Sequence, residues 1–265
     1  MRFALGIEYD GAPHCGWQSQ PSGCAIQDKL QAALSSLAGE VVSLVAAGRT
    51  DAGVHACGQT AHFDTDALRP LSAWVRGVNT SLPDSIRVLW AHPVPEEFHA
   101  RFNALSRSYR YVLYNHPVRP ALLARKVGWH HRPLDADGMA EAARSLLGEH
   151  DFTSFRAAEC QARSPVKTMY AASVRRAGDY IVMDFTADAF LHHMVRNIVG
   201  CLVHIGAGSV RPAWLGELLL ARDRTLAAPT FSAAGLYLLD VRYDARFGLP
   251  VAAENGWPFA IEGAR

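Results

Sequence analysis

The sequence predicts an α+β protein built from two similar halves, and three observations support this prediction. The first 94 residues run in the order strand, helix, strand, strand, helix, strand, which resembles a ferredoxin-like split βαβ unit. The residues after about 106 repeat that order loosely, with a longer insertion. A hydrophobic fraction of 49% with 19% charged residues is enough for a large core. We therefore expect two ferredoxin-like or RRM-like halves joined into one extended, mainly antiparallel sheet flanked by helices, with an active-site cleft between them.

The first half is predicted to contain two helices and four strands. Apolar residues recur at helical spacing from Ile26 to Leu37, and Gly39 follows them, so we expect a helix that ends at this glycine. A second, shorter helix is predicted over residues 71–79. Apolar or alternating runs predict strands at 2–10, 41–47, 55–63 and 85–94.

The second half begins after a boundary that we place near residues 100–106, which gives an N-terminal half of residues 1–104 and a C-terminal half of residues 105–265. Residues 106–115 alternate as a strand and open this half. Further strands are predicted at 166–176, 180–187 and 235–243. Helices are predicted at 136–147, 190–206 and 212–221.

Bulk properties narrow the class of protein. A net charge of +1 over 265 residues does not by itself indicate a polyanionic partner, so any nucleic-acid site must come from local clustering. The five cysteines are odd in number and show no CxxC spacing, which favours reduced thiols in a cytosol over a disulfide framework or a zinc site. The N-terminus lacks the apolar block of a signal peptide, and no apolar run is long enough to span a membrane. We therefore expect a soluble cytoplasmic protein that does not act at a membrane.

The sequence lacks the motifs of several classes of enzyme. The twelve histidines invite a metal hypothesis, yet LHHMVRN is not HExxH, and the other histidines lack ligand spacing. The stretch GRTDAG lacks the GK[ST] ending of a phosphate-binding loop, and no GxSxG elbow occurs. The sequence predicts neither a metal site nor a nucleoside triphosphate site.

The stretch AAGRTDAGVHACGQ, residues 46–59, places an Arg–Thr–Asp triplet between glycines and between two predicted strands. An aspartate in a loop usually caps a helix or forms an Asx turn, and that interpretation needs no further function. Here Arg49 and Asp51 lie on a turn held open by Gly48 and Gly53, where a ligand can approach the backbone closely. The two side chains are therefore a candidate charged site.

The predicted helix FLHHMVRNIVGCLVHIGAG carries an arginine beside its apolar stripe. Arg196 lies among apolar neighbours, four residues after His192. A mid-helix arginine is costly to bury without an anionic partner, so one hypothesis pairs Arg196 with Asp51. The alternative is a surface arginine whose stem packs while its charged end reaches water. The helix alone does not decide between them.

The predicted strand RSYRYVLYN interleaves basic and aromatic side chains. On a strand, Tyr109 and Tyr111 share one face while Arg110 points to the other. Such alternation is often ordinary sheet packing. Rings that stack on bases, beside arginines that hold phosphates, also suit an unstacked nucleotide. Both interpretations stay open, and the candidate phosphate contacts are Arg101, Arg107 and Arg110.

Five stretches taken together resemble one family. They are GRTDAGVHACGQ, ARFNALSRSYRYVLYN, DFTSFR, FLHHMVRNIVG and AAGLYLLDVRY, and they follow the motifs of the tRNA pseudouridine synthase A family in order and spacing. The resemblance covers nearly the whole chain, from FALGIEYDGAPHCGWQSQP to GLYLLDVRYD. One such motif could arise by chance, whereas five in order could not.

The resemblance implies an isomerase that converts uridine to pseudouridine at positions 38, 39 and 40 of the tRNA anticodon stem-loop. It also implies a homodimer that needs no cofactor and no metal. Asp51 matches the family's catalytic aspartate, and Arg196 would pair with it and keep it charged. Arg49 would occupy the space of the extruded nucleotide or hold its phosphate, Tyr109 would stack on the flipped uracil, and Leu236 would shield the pocket from water.

The chemistry of the reaction leaves open which atom the carboxylate attacks. The reaction breaks the N1–C1′ bond, rotates the uracil and rejoins it through C5. A carboxylate can start it as a nucleophile at C1′ or C6, or as a base at the ribose 2′ carbon.

Two other functions are alternatives to the isomerase. The first is a silent RNA-binding or folding-chaperone module, which would have no use for the GRTD motif. A glycosidase or nucleoside hydrolase would need a second carboxylate, and the candidates nearest to Asp51, Asp64 and Asp66, end a strand without such a motif.

Overall fold

The structure is a computed structural model that describes residues 1–250, and within them it contains ten strands and five α-helices. The strands are β1 (Arg2–Tyr9), β2 (Leu44–Ala46), β3 (His55–Asp64), β4 (Ile86–Val94), β5 (Ser106–Asn115), β6 (Gly128–His130), β7 (Gly148–Asp151), β8 (Val166–Ala177), β9 (Tyr180–Ala187) and β10 (Leu236–Arg242). The helices are α1 (Ile26–Ala38), α2 (Leu71–Ser81), α3 (Ala136–Ala143), α4 (Met194–Gly206) and α5 (Trp214–Ala221). The predicted α+β class with mainly antiparallel strand pairing is confirmed. None of these helices combines the length and apolar character needed to cross a membrane.

The chain forms two compact units. The N-terminal unit consists of Met1–Leu105 together with the described residues from Tyr237 onward, and the C-terminal unit consists of Ser106–Leu236. The sequence groups everything after residue 104 in one half. The structure instead places most of β10 with the N-terminal unit, because Tyr237 pairs in parallel with His55 of β3.

In the N-terminal unit, β1 pairs antiparallel with both β3 and β4. The other edge of β3 pairs antiparallel with β2 and, at its opposite end, in parallel with β10. Trp74 of α2 packs its ring against Phe3 and Phe63 of the sheet, with centroids 5.7 and 5.2 Å apart, and all three rings are buried. Aromatic side chains bury more apolar area than any others, so this cluster anchors α2 to the sheet.

In the C-terminal unit, β9 pairs antiparallel with β5 and β8, β7 pairs antiparallel with β8, and β6 runs parallel to β5. The apolar stripe of α4 is buried, with Ile198, Val199 and Leu202 completely inaccessible. The helix therefore buries the predicted stripe and most of its remaining surface as well. It begins at Met194 rather than near residue 190, because His193 has a φ of 63°, a left-handed conformation that cannot continue a helix.

Three strands differ from the sequence prediction. β2 covers three residues of the predicted 41–47, because the N–H of Val42 donates to Oγ of Ser35 on α1 at 2.9 Å instead of pairing with β3. β6 and β7 were not predicted, since segments of three and four residues are too short to show an alternating pattern.

The loop between β1 and α1 contains a disulfide between Cys15 and Cys24, whose Cα atoms lie 5.5 Å apart. This corrects the expectation of reduced thiols for these two cysteines, whereas Cys57, Cys160 and Cys201 form no disulfide within the described residues. The loop folds back on itself, because Gly16 and Gly23 adopt positive φ angles of 92° and 66° and the N–H of Cys15 donates to the carbonyl oxygen of Cys24 at 3.3 Å. A cysteine spacing without a motif gives no sign of such a turn.

Candidate active site

The loop between β2 and β3 presents Arg49 and Asp51 on its accessible side. Arg49 is exposed and Asp51 is half-buried, whereas Thr50 between them is 7% exposed. The chain therefore turns inward at Thr50 and outward at both charged neighbours. This is the arrangement in which two charged side chains can meet one ligand.

A sharp turn follows the aspartate. Gly53 has a φ of 81°, in the left-handed region that glycine adopts without strain. The N–H of Val54 donates to the carbonyl oxygen of Asp51 at 3.1 Å, which closes the turn. Gly53 thus shapes the turn as predicted, whereas Gly48, the other predicted glycine, is not among the described glycines with a positive φ.

The β1–α1 loop packs directly against this backbone. A Cβ atom at Gly11 would lie 1.9 Å from the carbonyl oxygen of Val54, and one at Gly16 would lie 2.9 Å from the carbonyl oxygen of Thr50. The N–H of Trp17 donates to that same Thr50 oxygen at 2.9 Å. Glycine is needed at both positions because a side chain would collide with the main chain of the β2–β3 loop.

Two buried polar side chains support the loop from below. The hydroxyl of Tyr9 lies 2.8 Å from Oγ1 of Thr50, and Nε2 of Gln59 donates to the carbonyl oxygen of Gly48 at 2.7 Å. Sequence reasoning missed both residues, because a tyrosine ending one strand and a glutamine within another carry no distinctive pattern. The one signal in the sequence was the position of Gln59 at the end of the stretch AAGRTDAGVHACGQ.

An aromatic contact fixes the beginning of β3. The rings of His55 and Tyr237 are stacked with centroids 4.6 Å apart, and Nδ1 of His55 accepts a hydrogen bond from the N–H of Gly11 at 3.1 Å. Burial raises the pKa of Tyr237 well above its ordinary value, so its hydroxyl stays neutral in the physiological range. This contact holds the strand that leads out of the β2–β3 loop.

Tyr109 lies on β5 in the C-terminal unit, where it pairs with Phe185 of β9. Its side chain is 9% exposed, and its ring meets that of Phe190 edge to face with centroids 5.0 Å apart. Tyr111, two residues on, is fully buried and donates its hydroxyl proton to the carbonyl oxygen of Ser232 at 2.9 Å. Tyr109 is thus the more accessible of the two predicted tyrosines.

Arg196 lies on α4 and is half-buried. Its Nε–H donates to the carbonyl oxygen of Phe231 at 2.9 Å, and the N–H of Phe231 donates back to the carbonyl oxygen of Arg196 at 3.2 Å. This reciprocal pair ties the arginine to the loop before β10. The guanidinium is therefore anchored to main chain rather than extended into water like a surface arginine.

Leu236 is the first residue of β10 and is 5% exposed. Gly235 before it approaches β5 so closely that a Cβ atom there would lie 2.4 Å from the carbonyl oxygen of Val112 and 2.6 Å from the nitrogen of Gly128. This close approach explains the glycine of the GLYL motif and holds Leu236 against the strand.

The predicted residues divide between the two units. The N-terminal unit carries its two charged candidates on one loop. In the C-terminal unit, Tyr109 is two residues from Tyr111, whose ring packs against Phe231 at 5.9 Å, and Phe231 in turn anchors Arg196. The pairing of Arg196 with Asp51 stays a prediction.

Comparison with known proteins identifies the family. The family model described as tRNA pseudouridine synthase matches residues 7–103 and 142–244. The tRNA pseudouridine synthase A of Thiobacillus denitrificans is 62% identical over 260 residues, which is 98% of this chain and 100% of that protein. Proteins of the same name from Methylobacillus flagellatus and Burkholderia cenocepacia are 61% and 54% identical, over 94% and 98% of this chain and 96% of each of those proteins. The chain therefore belongs to the tRNA pseudouridine synthase A family, whose reaction is the isomerisation of uridine in tRNA.

Proposed function

We propose that this isomerase modifies positions 38, 39 and 40 of the tRNA anticodon stem-loop and that Asp51 is its catalytic carboxylate. The conformation of the β2–β3 loop is the observation that supports a catalytic role for Asp51. Thr50 is buried and hydrogen-bonded beneath the loop, which leaves Asp51 and Arg49 on its accessible side. A carboxylate held there can meet a nucleotide that has left its stack. The choice of tRNA positions rests on the resemblance of the motifs alone.

The reaction needs a group that starts glycosidic cleavage and a pocket that retains the detached uracil. Asp51 would act as a nucleophile at C1′ or C6, or as a base at the ribose 2′ carbon. In each route the carboxylate must be ionised, which a dry pocket opposes. A cation beside it is therefore part of the proposal.

Arg196 is the proposed cation. Its Nε–H is used by the carbonyl oxygen of Phe231, which fixes the plane of the guanidinium. The other two nitrogen atoms of the group carry the remaining N–H donors, and these suit the forked geometry of a carboxylate. We propose that they keep Asp51 charged and aimed at the nucleotide.

Three further residues complete the proposed pocket. Arg49 is exposed and would hold a phosphate or occupy the space that the flipped nucleotide leaves. Tyr109 would stack on the uracil, with its ring held by Phe190. Leu236 is nearly fully buried and would exclude water, so that the detached base is rejoined rather than lost.

A nucleoside hydrolase also cleaves a C1′ bond, and the N-terminal unit argues against this function. Two-carboxylate glycosidases hold their acids roughly 5–10 Å apart. Asp64 is the last residue of β3, whereas the loop that carries Asp51 lies before the first, and the strand between them is about 30 Å long at about 3.3 Å per residue. Asp64 is also bound to Arg2 in a 2.7 Å ion pair. It cannot serve as the second carboxylate.

The experiment that tests this function incubates the protein with unmodified tRNA transcripts and maps pseudouridine at single-nucleotide resolution. Product at positions 38, 39 and 40 is expected, and transcripts with cytidine at those positions are the matched control. Pseudouridine only at other positions would overturn the assigned site. Release of free uracil would indicate a hydrolase, and tight binding without any product would indicate a silent RNA-binding module.

We further propose that the working unit is a cytoplasmic homodimer that needs neither a cofactor nor a metal. A net charge of +1 leaves one protomer little basic surface for a folded tRNA, and a two-fold axis doubles that surface. Asp51→Asn is mixed with a variant that lacks the arginines that bind tRNA outside the pocket, and mixed dimers should regain activity. A chelator should not lower that activity. Light scattering that shows a fully active monomer at assay concentration would refute the dimer.

A further inference from the structure

Two buried side chains form a connected polar layer directly beneath the β2–β3 loop. Gln59 has no exposed surface, and its Nε2 donates to the carbonyl oxygen of Gly48 at 2.7 Å. Tyr9 is 3% exposed, and its hydroxyl lies 2.8 Å from Oγ1 of Thr50. Nε2 of Gln59 also lies 3.5 Å from the Tyr9 hydroxyl, which links the two side chains. Asp51 follows Thr50 directly in the chain.

Elementary chemistry fixes the orientation of the Gln59 amide. A main-chain carbonyl only accepts hydrogen bonds, so Nε2 rather than Oε1 must face Gly48. Oε1 is then left buried, with no hydrogen-bond partner among the described residues. An unpartnered buried acceptor destabilises the fold, and an apolar side chain of similar size would avoid that cost. Packing alone therefore does not explain an amide at this position, whereas its bond to Gly48 does.

These contacts hold the main chain just before the aspartate at three points. Gln59 holds the carbonyl group of Gly48, Tyr9 holds the side chain of Thr50, and the N–H of Trp17 holds the Thr50 carbonyl oxygen at 2.9 Å. Because the Gly48–Arg49 peptide and the Thr50–Asp51 peptide are both restrained, this layer sets the direction in which the Asp51 side chain leaves the backbone. A change of either anchor would let Thr50 rotate and carry Asp51 with it.

We propose that Gln59 and Tyr9 are positioning residues that hold the Asp51 carboxylate in its reactive orientation. This inference rests on the proposed catalytic role of Asp51. Both residues are buried under the loop and act through it. A displacement of about 1 Å in a reacting group can slow a reaction by about 100-fold. Loss of one anchor should therefore slow the chemical step and leave tRNA affinity unchanged.

The test uses two conservative variants with matched controls from the same unit. Gln59→Glu keeps the shape but removes the amide donor, and Tyr9→Phe removes only the hydroxyl. Asn79→Asp is the control for the first, because the Asn79 amide donates to the carbonyl oxygen of Val88 on β4 at 2.8 Å, away from the loop. Tyr243→Phe is the control for the second, because its hydroxyl donates to the carbonyl oxygen of Ala100 at 2.6 Å.

Three quantities are measured for each variant: the single-turnover rate at saturating tRNA, the dissociation constant for tRNA and the midpoint of thermal unfolding. We expect the rate of Gln59→Glu and of Tyr9→Phe to fall at least about tenfold, with an unchanged dissociation constant. The two controls should lose comparable thermal stability yet keep the wild-type rate. Equal rates in the variants and in their controls of similar stability would overturn the proposal.

The pH profile of Gln59→Glu adds a readout that a loss of stability alone would not give. Burial favours the neutral form of a carboxyl group, and a neutral glutamic acid carries an O–H that can donate to Gly48. The rate relative to wild type should therefore recover as the pH falls through the pKa of the new group. A ratio that stays flat or declines as the pH falls would count against the bond to Gly48.

The rates of the variants distinguish a failure of the positioning role from a failure of the proposed catalytic role of Asp51. Normal turnover by Asp51→Asn would remove both, because no carboxylate would need positioning. Loss of turnover in Asp51→Asn together with wild-type rates in Gln59→Glu and Tyr9→Phe would remove only the positioning role. If Gln59→Glu does not fold, Gln59→Met takes its place, because it removes the donor without adding an acid. The same loss of rate is expected for Gln59→Met.

Discussion

The Nε–H of Arg196 donates a 2.9 Å hydrogen bond to the carbonyl oxygen of Phe231, and the N–H of Phe231 donates back to Arg196 at 3.2 Å. This reciprocal bond commits one nitrogen of the guanidinium to the main chain of its own unit. It fixes the plane in which the other nitrogen atoms lie. An arginine used only for charge would not need this anchor.

Arg196→Lys should therefore lose most of the rate although it keeps the positive charge. A lysine has one nitrogen and cannot both bind the Phe231 carbonyl oxygen and fork to a carboxylate. We expect a fall of about 100-fold in the single-turnover rate. Arg224→Lys is the matched control, because Arg224 is also half-buried and bound to main chain, through the carbonyl oxygen of Ala228 at 3.0 Å. A near-normal rate for Arg196→Lys would show that the fork has no role.

Substitutions at Tyr109 separate stacking from proton transfer. Tyr109→Phe keeps the ring and its contact with Phe190, whereas Tyr109→Leu removes both the ring and the hydroxyl. If stacking is the main role, the Phe variant should keep clearly more activity than the Leu variant. The measurement is the single-turnover rate on one tRNA transcript. Equal and complete losses would instead indicate that the hydroxyl transfers a proton.

Binding to tRNA should weaken steeply with salt despite the net charge of +1. Each phosphate that is neutralised adds about 0.7–0.9 to the slope of log affinity against log salt concentration. The structure revises the candidate contacts, because Arg110 binds the Asp184 carboxylate with two hydrogen bonds of 2.6 and 3.1 Å. Arg101 is exposed, so Arg101→Ala should lower the slope by about one phosphate, while Arg110→Gln should leave it unchanged. Equal slopes for Arg101→Ala and wild type would exclude Arg101 as a phosphate contact.

The stability of the N-terminal unit should fall in mild acid because of His62. This residue is buried on β3, and its Nδ1 accepts a hydrogen bond from the N–H of Ala100 at 3.1 Å. Burial, helped by the positive charges of Arg2 and His99, lowers the pKa of His62 from 6.5 to about 4. Between these values the unfolded chain binds more protons, so the free energy of unfolding decreases as the pH falls from about 6.5 towards 4. A pKa shift of this size corresponds to a loss in the free energy of unfolding on the order of 3 kcal/mol over that pH range.

Urea unfolding at pH 7 and at pH 4.5 measures this effect. His62→Gln removes the titrating ring and keeps an oxygen acceptor for Ala100, so its free energy of unfolding should change less between the two pH values than that of the wild type. The wild type is expected to be the less stable at the lower pH. An identical pH dependence in both proteins would mean that His62 is not the group that titrates.

The elements with strong periodicity were predictable from the sequence, and those set by tertiary contacts were not. α1 ends at Gly39 as expected, because that glycine has a φ of 79° that other residues adopt only with strain. The parallel pairing of Tyr237 with β3 depends on residues about 180 positions apart, and local pattern carries no information on it. The approach of Cys15 to Cys24 likewise depends on a loop conformation rather than on a motif.

The same division applies to the site. Asp51 and Arg49 were found because an Arg–Thr–Asp triplet between glycines is unusual, and the structure places both on the accessible side of their loop. Gln59 was missed because a buried amide matters through one hydrogen bond to Gly48, which no spacing rule reveals. Arg196 was recognised as a costly charge among apolar neighbours, but the predicted mid-helix position was wrong, because α4 begins at Met194 and places Arg196 in its first turn. Its anchor on Phe231 became visible only in the fold.

The most direct test of the central claim compares the wild type with Asp51→Asn on tRNA labelled with tritium at C5 of uridine. The product is joined through C5, so each turnover releases this hydrogen to water. Asparagine keeps the shape of the side chain and cannot act as a nucleophilic or basic carboxylate. We expect Asp51→Asn to bind tRNA within about twofold of the wild type and to release no tritium above background. Tritium release by Asp51→Asn at a rate near that of the wild type would contradict the account.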